Sequence, residues 1–247
     1  MYSNHMYLTN EQVSNKNNQL KIDLYHGTST LFIESIIKNG LGGVNPVEDW
    51  KLLELGREVF DLSKIHLRNS ELFERSSASF QNMTEQTKTG SFNWQHGATY
   101  LSPAEKTAVS YATRKQYGSE LLTYTLEFLR ELINLKISYV TRDLYQRHSK
   151  VFNLIEARPS PILIQVKDVF KDSLLNELGE DPTSSLQSIE KEINDFPETY
   201  EDVLQQCNFR LTKAIPASQL KFWLINITEW NQFSPAYKLY ELKKPKE

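Results

Sequence analysis

A chain of 247 residues with 39% hydrophobic and 11% aromatic side chains can bury a substantial core, and its length favours one elaborated domain over two. The net charge of −3 argues against a nucleic-acid binder that works through bulk charge, while leaving room for a local basic patch. The single cysteine, Cys207, excludes an internal disulfide and fits a reducing compartment, so a cytoplasmic protein is expected; no stretch approaches the roughly 20 apolar residues of a membrane-spanning helix.

Residues 1–18 are polar and Asn-rich, without the apolar core of a signal peptide, and are expected to be loosely ordered. Residues 19–247 are expected to form a single domain, with a helical and loop region inserted at about 43–96. From Lys21 to His26 the chain alternates: Ile22, Leu24 and His26 share one face, Asp23 and Tyr25 the other. Ser29 or Thr30 is a candidate N-cap for a helix whose apolar residues run from Leu31 to Leu41, and Gly40 supplies a left-handed terminator. Trp50 to Phe60 and Leu67 to Phe73 predict two short helices, and the Ser/Thr/Asn/Gln-rich stretch from Ser76 to Gln95 predicts a long loop.

Ala98 to Ser102 reads as a short strand. Ser102-Pro103-Ala104-Glu105 then has the pattern of a helix start, and Ala104, Ala108, Tyr111 and Ala112 form a small-residue face that permits close packing. Leu121 to Phe128 predicts a strand, and Val140, Leu144, Val151, Phe152 and Ile155 a helix ended by Arg158-Pro159-Ser160-Pro161. Ile162 to Val166 predicts a strand. Leu174, Leu175 and Leu178 predict a short helix, and Leu186, Ile189 and Ile193 another. Gln206 to Thr212 alternates, with Cys207, Phe209 and Leu211 on one face and Gln206, Asn208 and Arg210 on the other. Leu220 to Ile227 is strongly apolar, and Ala236 to Leu242 predicts a last strand.

Two short stretches stand out together: Tyr25-His26-Gly27-Thr28-Ser29, with Gly40-Leu41 behind it, and Gly97-Ala98-Thr99-Tyr100-Leu101-Ser102, with an Ala-rich helix behind it. A lone His at a strand end is ordinarily a surface or satisfied core residue, and a Tyr in an apolar strand is ordinarily packing. The order and spacing of the pair give them weight. In this order they resemble the ADP-ribosyltransferase superfamily, closest to the branch with a His-Tyr-Glu triad that includes diphtheria toxin and the poly(ADP-ribose) polymerases. The strong match covers about a third of the chain, and the strand expected at Leu121 to Phe128 falls where that family places one.

The resemblance implies an α+β fold with a split, mostly antiparallel sheet and flanking helices, and NAD as co-substrate with no metal. It makes His26, Tyr100 and Asn208 the catalytic set, with NAD held by His26, Gly27, Thr28, Tyr100, Ser102, Tyr111 and Gln206. His26 would bond an adenosine-ribose hydroxyl, the Gly27 backbone would meet the nicotinamide amide, and Tyr100 and Tyr111 would stack on the nicotinamide ring. Glycine at 27 is expected to let the ligand approach the backbone. Asn208 stands where the family has Glu; in another register Glu201 or Glu156 would serve. An amide keeps the hydrogen bond and loses the negative charge that stabilises a developing ribosyl cation.

The implied activity is mono-ADP-ribosylation of a macromolecule, protein favoured and nucleic acid an alternative, by a toxin, effector or defence protein of bacterial or phage-related type. An antitoxin or regulatory partner fits that implication, and no membrane partner does. The rivals are a catalytically inactive binding module, a nucleic-acid modifier and an NAD glycohydrolase. Cys207 reads as a small buried residue, and His66, His96 and His148 lack metal spacing. Arg57, Arg68, Arg75 and Arg114 are candidate pyrophosphate partners, and Trp94 and Tyr117 candidate target-side aromatics; surface or core roles compete with each.

Overall fold

The computed structural model describes residues 18–89, 92–230 and 235–243, so most of the polar N-terminal stretch lies outside the described residues. In chain order the elements are β1 (Leu24–Ser29), α1 (Ile33–Asn39), α2 (Pro46–Asp49), α3 (Leu52–His66), α4 (Glu71–Glu85), β2 (Lys88–Thr89), β3 (Phe92–Asn93), β4 (Tyr100–Leu101) and α5 (Glu105–Arg114). There follow α6 (Glu120–Asn134), α7 (Ser138–Phe152), β5 (Pro161–Val166), β6 (Leu174–Asn176), α8 (Thr183–Asp195), α9 (Tyr200–Val203), β7 (Phe209–Leu211), β8 (Leu220–Trp230) and β9 (Pro235–Leu242). The fold is mixed α+β, with every strand pairing among the described residues antiparallel. No helix among them is long and apolar enough to cross a membrane.

The chain forms two compact units: residues 1–43, 99–114 and 160–247, and residues 44–98 and 115–159. The first carries a four-stranded sheet ordered β1-β5-β8-β9 and a three-stranded sheet ordered β4-β7-β6. The inward faces of both contribute to one core, with Leu24, Ile164 and Phe222 from the larger sheet and Leu101, Phe209 and Leu174 from the smaller. The sheets meet at one bridge. Tyr25 N–H donates to the Ser102 carbonyl at 2.7 Å, and Ser102 N–H returns to the Tyr25 carbonyl at 2.8 Å. On the other face of β1, α5 packs Ala108, Val109 and Ala112 against Leu163 and Ile225. The small-residue face seen in the sequence is what lets this helix come so close.

The second unit is helical, built on α3, α4, α6 and α7 with a short β2–β3 hairpin. Phe80 lies at its centre, stacked on Phe128 with centroids 4.9 Å apart and edge-on to Phe60 at 5.6 Å.

Several sequence expectations are overturned. Leu121 to Phe128 is not a strand but part of α6, because Leu121, Leu122, Thr125, Leu126, Leu129 and Leu132 form a wide helical stripe, and the Ser119 hydroxyl caps it by accepting from Leu122 N–H. The alternation of Leu122, Tyr124, Leu126 and Phe128 is incidental to that stripe. The expected loop from Ser76 to Gln95 is helical as far as Glu85, where burial of Ser76, Phe80, Met83 and Thr84 on one face outweighs weak helix formers. The expected helix at Leu174 to Leu178 is instead β6, paired with β7 and closed by a tight loop in which the Asn176 side chain accepts from Leu178 and Glu180 N–H.

Neither Ser29 nor Thr30 caps a helix through its side chain: Ser29 ends β1, and the Thr30 hydroxyl accepts from Ser160 N–H at 3.0 Å. The α5 helix begins at Glu105, later than the Ser102 cap predicts, and Ser102 Oγ accepts from Ala104 N–H while donating to the Cys207 carbonyl. Gly40 does end α1, with φ +82° and its N–H on the Ile36 carbonyl.

Candidate functional site

The two sequence motifs meet in the first unit. Alternation sets His26 on the core-facing side of β1 beside Leu24, and its half-buried ring reaches the chain of β4: Nδ1–H donates to the Tyr100 carbonyl at 2.8 Å. A carbonyl only accepts, so the proton sits on Nδ1, and Nε2 of the neutral ring remains an acceptor. Burial pushes the imidazole pKa below the ordinary histidine value, against the opposing effect of the Tyr100 hydrogen bond. His26 is therefore a neutral, oriented ring with one acceptor nitrogen.

The bridge to Ser102 fixes a second feature. It turns the Tyr25 amide and carbonyl away from β5, and antiparallel alternation turns those of Gly27 to the same edge. Among the described residues, no backbone partner meets the Gly27 pair there. The absence of a Gly27 side chain has a different cause from the one the sequence suggested. A Cβ built on Gly27 would lie 1.9 Å from the Ala108 carbonyl oxygen and 3.0 Å from Ala112 N. Glycine is required so that α5 can sit on the strand; the space is already filled, and ligand approach is not what demands it.

The smaller sheet supplies the remaining residues. Its register aligns Tyr100 with Arg210 and Arg210 with Leu175 across three strands. Tyr100 lies on the side of β4 opposite the buried Leu101, and Arg210 is exposed between buried Phe209 and Leu211. Burial raises the Tyr100 pKa, with the charge of Arg210 lowering it and that of Glu177 raising it, so the phenol stays protonated at neutral pH. Asn208 is partly buried one residue before β7, and its amide donates to Glu177 Oε2 at 3.5 Å. Cys207, half-buried, has its thiol pKa raised by burial and then by Glu177 and Glu192, which suits a packing residue and not a nucleophile.

The other expected ligand contacts are distributed as follows. Thr28 is buried in β1, and Ser102 is buried and bonded as described. Tyr111 is 38% exposed on α5. Gln206 is exposed and ends a 3₁₀ turn, so the strand expected from residue 206 is confined to Phe209–Leu211. Of the alternatives for the third position, Glu156 is exposed in the helical unit, and the side chain of Glu201 lies outside the described residues.

Glu177 was missed by sequence reading. It lies in the segment from Leu174 to Leu178 that the sequence predicts as a short helix. The signal lay in Asn176 and Gly179, turn residues that close an apolar pair into a strand and loop.

The helical unit holds two of the other candidates, Tyr117 and Arg57, in structural roles. Tyr117 is a core residue, fully buried, with its hydroxyl on the Ile155 carbonyl at 3.3 Å and accepting from Arg130 at 2.7 Å. Arg57 donates to the Thr84 carbonyl at 2.9 Å. Glu54, Glu58 and His148 bring ligand atoms within 4.8 Å of one another. Glu58, however, is already held through both oxygens by Arg147, whose guanidinium also lies 3.5 Å from His148 Nε2. Among the described residues His148 Nδ1 is buried without an acceptor to orient the ring as metal-binding histidines require, so Glu58 is better read as the ion-pair partner of Arg147 than as a metal ligand. No protein-family model matches the chain, and no curated protein or solved structure matches it significantly.

Proposed function

We propose that the chain is an NAD-dependent mono-ADP-ribosyltransferase of the split-sheet kind, acting on a macromolecular acceptor, with protein favoured. The observation that carries this reading is the direct tie between the two motifs. His26, inside β1 and not at a strand end as the sequence predicts, is bonded to the backbone of Tyr100, 74 residues away, at the point where the two sheets join.

That arrangement suits the chemistry. A primary carboxamide such as that of nicotinamide needs one donor and one acceptor side by side, and the outward Gly27 N–H and C=O offer them. A ribose hydroxyl needs an acceptor, and neutral His26 offers Nε2. Tyr100 presents an aromatic ring on the outward face of β4, with Tyr111 exposed on the following helix. In the reaction the ribose C1′–N bond breaks and its electron pair goes to the pyridinium. Nicotinamide leaves neutral, and the positive charge rests on the ribose until an acceptor lone pair forms the new bond at C1′ and the acceptor's proton passes to a base.

Asn208 favours a second reading, a binding module on the same scaffold, because an amide at that position supplies no charge to stabilise the cation.

Nicotinamide release from labelled NAD separates the two readings, with His26→Ala and Tyr100→Ala beside the wild type, first in buffer and then with cell lysate. Release abolished by both substitutions, with label transferred to lysate protein, is the expected result. Label on nucleic acid would change the acceptor class, and release in buffer alone would make water the acceptor. NAD binding without release would favour the binding module, and no binding by calorimetry would end the NAD reading altogether.

A further inference from the structure

We propose that Glu177 supplies the carboxylate of this site, standing across the strand from Asn208 and acting on the ribose of the bound dinucleotide. The inference rests on the NAD reading above and adds the one charge which that reading lacks.

The geometry follows from the sheet. In the β6–β7 ladder Leu174 faces Leu211, Leu175 faces Arg210 and Asn176 faces Phe209. One step further, the same register sets Glu177 opposite Asn208, and the two side chains are in contact at 3.5 Å. In the β4–β7 ladder Tyr100 faces Arg210. Period-two alternation then puts Tyr100, Arg210, Asn208 and Glu177 on one side of the smaller sheet, opposite the buried Leu101, Phe209 and Leu211. The charge of Glu177 is felt at the Tyr100 phenol, which places the carboxylate in the electrostatic surroundings of that ring.

The loop that carries Glu177 is also held. Asn176 Oδ1 accepts from the N–H groups of Leu178 at 3.0 Å and Glu180 at 2.8 Å, Asn176 N–H donates to the Glu180 carbonyl at 2.8 Å, and Gly179 turns the chain with φ +88°. Glu177 thus projects from a closed loop at the end of a paired strand. Its exposed side chain lies with Oε2 3.5 Å from the Asn208 amide nitrogen, and Oε1 remains for a substrate hydroxyl.

A side chain that must stabilise a ribosyl cation has to carry negative charge where that charge develops, and it is most effective when it is positioned beforehand. Asn208 cannot do this. Glu177 can, with Asn208 as the group that positions it.

The test uses the full chain and NAD. Glu177→Gln keeps the shape and the Asn208 contact and removes only the charge; because the residue is exposed, circular dichroism should be unchanged. Nicotinamide release should fall about 100-fold or more, the size of effect seen when one electrostatic stabiliser is removed, with NAD affinity by calorimetry altered less than about threefold. Adding Asn208→Glu in the Glu177→Gln background returns a carboxylate to the neighbouring strand and should restore a measurable part of the rate. Release within about threefold of wild type in Glu177→Gln would overturn the assignment and leave the NAD reading standing. A wild-type chain that binds no NAD would sink the NAD reading and this inference with it.

Discussion

Two tyrosines at comparable sequence positions, each early in its segment, have opposite surroundings. Tyr117, in the helical unit, is fully buried, and Arg130 and the Ile155 carbonyl use both capacities of its hydroxyl. Tyr100, in the sheet unit, is half-buried, and its hydroxyl meets no partner among the described residues. The same contrast runs through the charges. In the helical unit Arg147 is taken up by Glu58 and Asp143. In the sheet unit His26 keeps an acceptor nitrogen and Glu177 keeps an oxygen. A chemically capable side chain is a candidate for function only where its bonding capacity is not already used by the fold, as at His26, Tyr100 and Glu177.

The largest expected effect comes from the point where that unit is most tightly built. Gly27→Ala forces a Cβ onto the Ala108 carbonyl, a backbone atom that cannot rotate aside. Overpacking of this kind costs roughly 1–3 kcal/mol, and a clash with backbone belongs at the upper end. Urea denaturation should show that loss, and nicotinamide release should disappear with it as α5 lifts from β1. A Gly27→Ala protein as stable as wild type would mean that α5 does not pack on the strand as described.

The tyrosine pair itself gives the next effect. Tyr117→Phe should cost about 1 kcal/mol, since it removes a buried hydroxyl from a satisfied network. Tyr100→Phe should change stability by less than about 0.5 kcal/mol, as expected where no structural hydrogen bond is lost. Equal losses in the two variants would break the contrast between the units.

Histidine titration sharpens it. Burial lowers the folded-state pKa of His26, so as the pH falls the unfolded chain takes up a proton before the folded one does. The stability associated with this ring is full above the unfolded histidine range near pH ~6.5 and declines as the pH drops toward the folded value. His26→Gln should flatten that part of the pH–stability curve. An imidazole that titrates above the unfolded value by NMR would contradict the buried, neutral ring.

What could be read from the sequence divides along the same line. The two motifs, the terminator at Gly40, the helix over Leu186 to Ile193 and the strands at Ile162 to Val166 and Ala236 to Leu242 were legible because each combines periodicity with turn chemistry. The α6 region was misread because Leu122, Tyr124, Leu126 and Phe128 satisfy an alternating pattern within a helical stripe, and only packing decides between them. One strand that the family resemblance counted on is therefore absent from that place, and the candidate site is built on β1, β4 and β7, with Glu177 from the loop after β6 and Tyr111 from α5. Glu177 was illegible for a related reason. Its relation to Asn208 is a cross-strand register between segments 31 residues apart, and no local pattern encodes it.

The smallest expected effect tests whether the helical unit's charges are purely internal. Arg147 grips Glu58 and also Asp143, and this holds the Glu58 carboxyl below its usual range, the Arg147 hydrogen bond being the chief cause and burial opposing it. Because the folded pKa is depressed, the stabilisation is present above the unfolded glutamate value near pH ~4.3 and is lost as the pH falls through the folded one. Both side chains are about a third exposed, so solvent screening limits the contribution to roughly 0.2–1 kcal/mol. Arg147→Met should remove that increment at pH 7, and its difference from wild type should shrink as the pH is lowered through the acid range, read by urea midpoints along the series. It should leave NAD binding unchanged, because Arg147, Glu58 and Asp143 satisfy one another within the helical unit. If Arg147→Met altered nicotinamide release while stability held, the ion pairs of the helical unit would be serving the chemistry, and the division drawn between the two units would have to be given up.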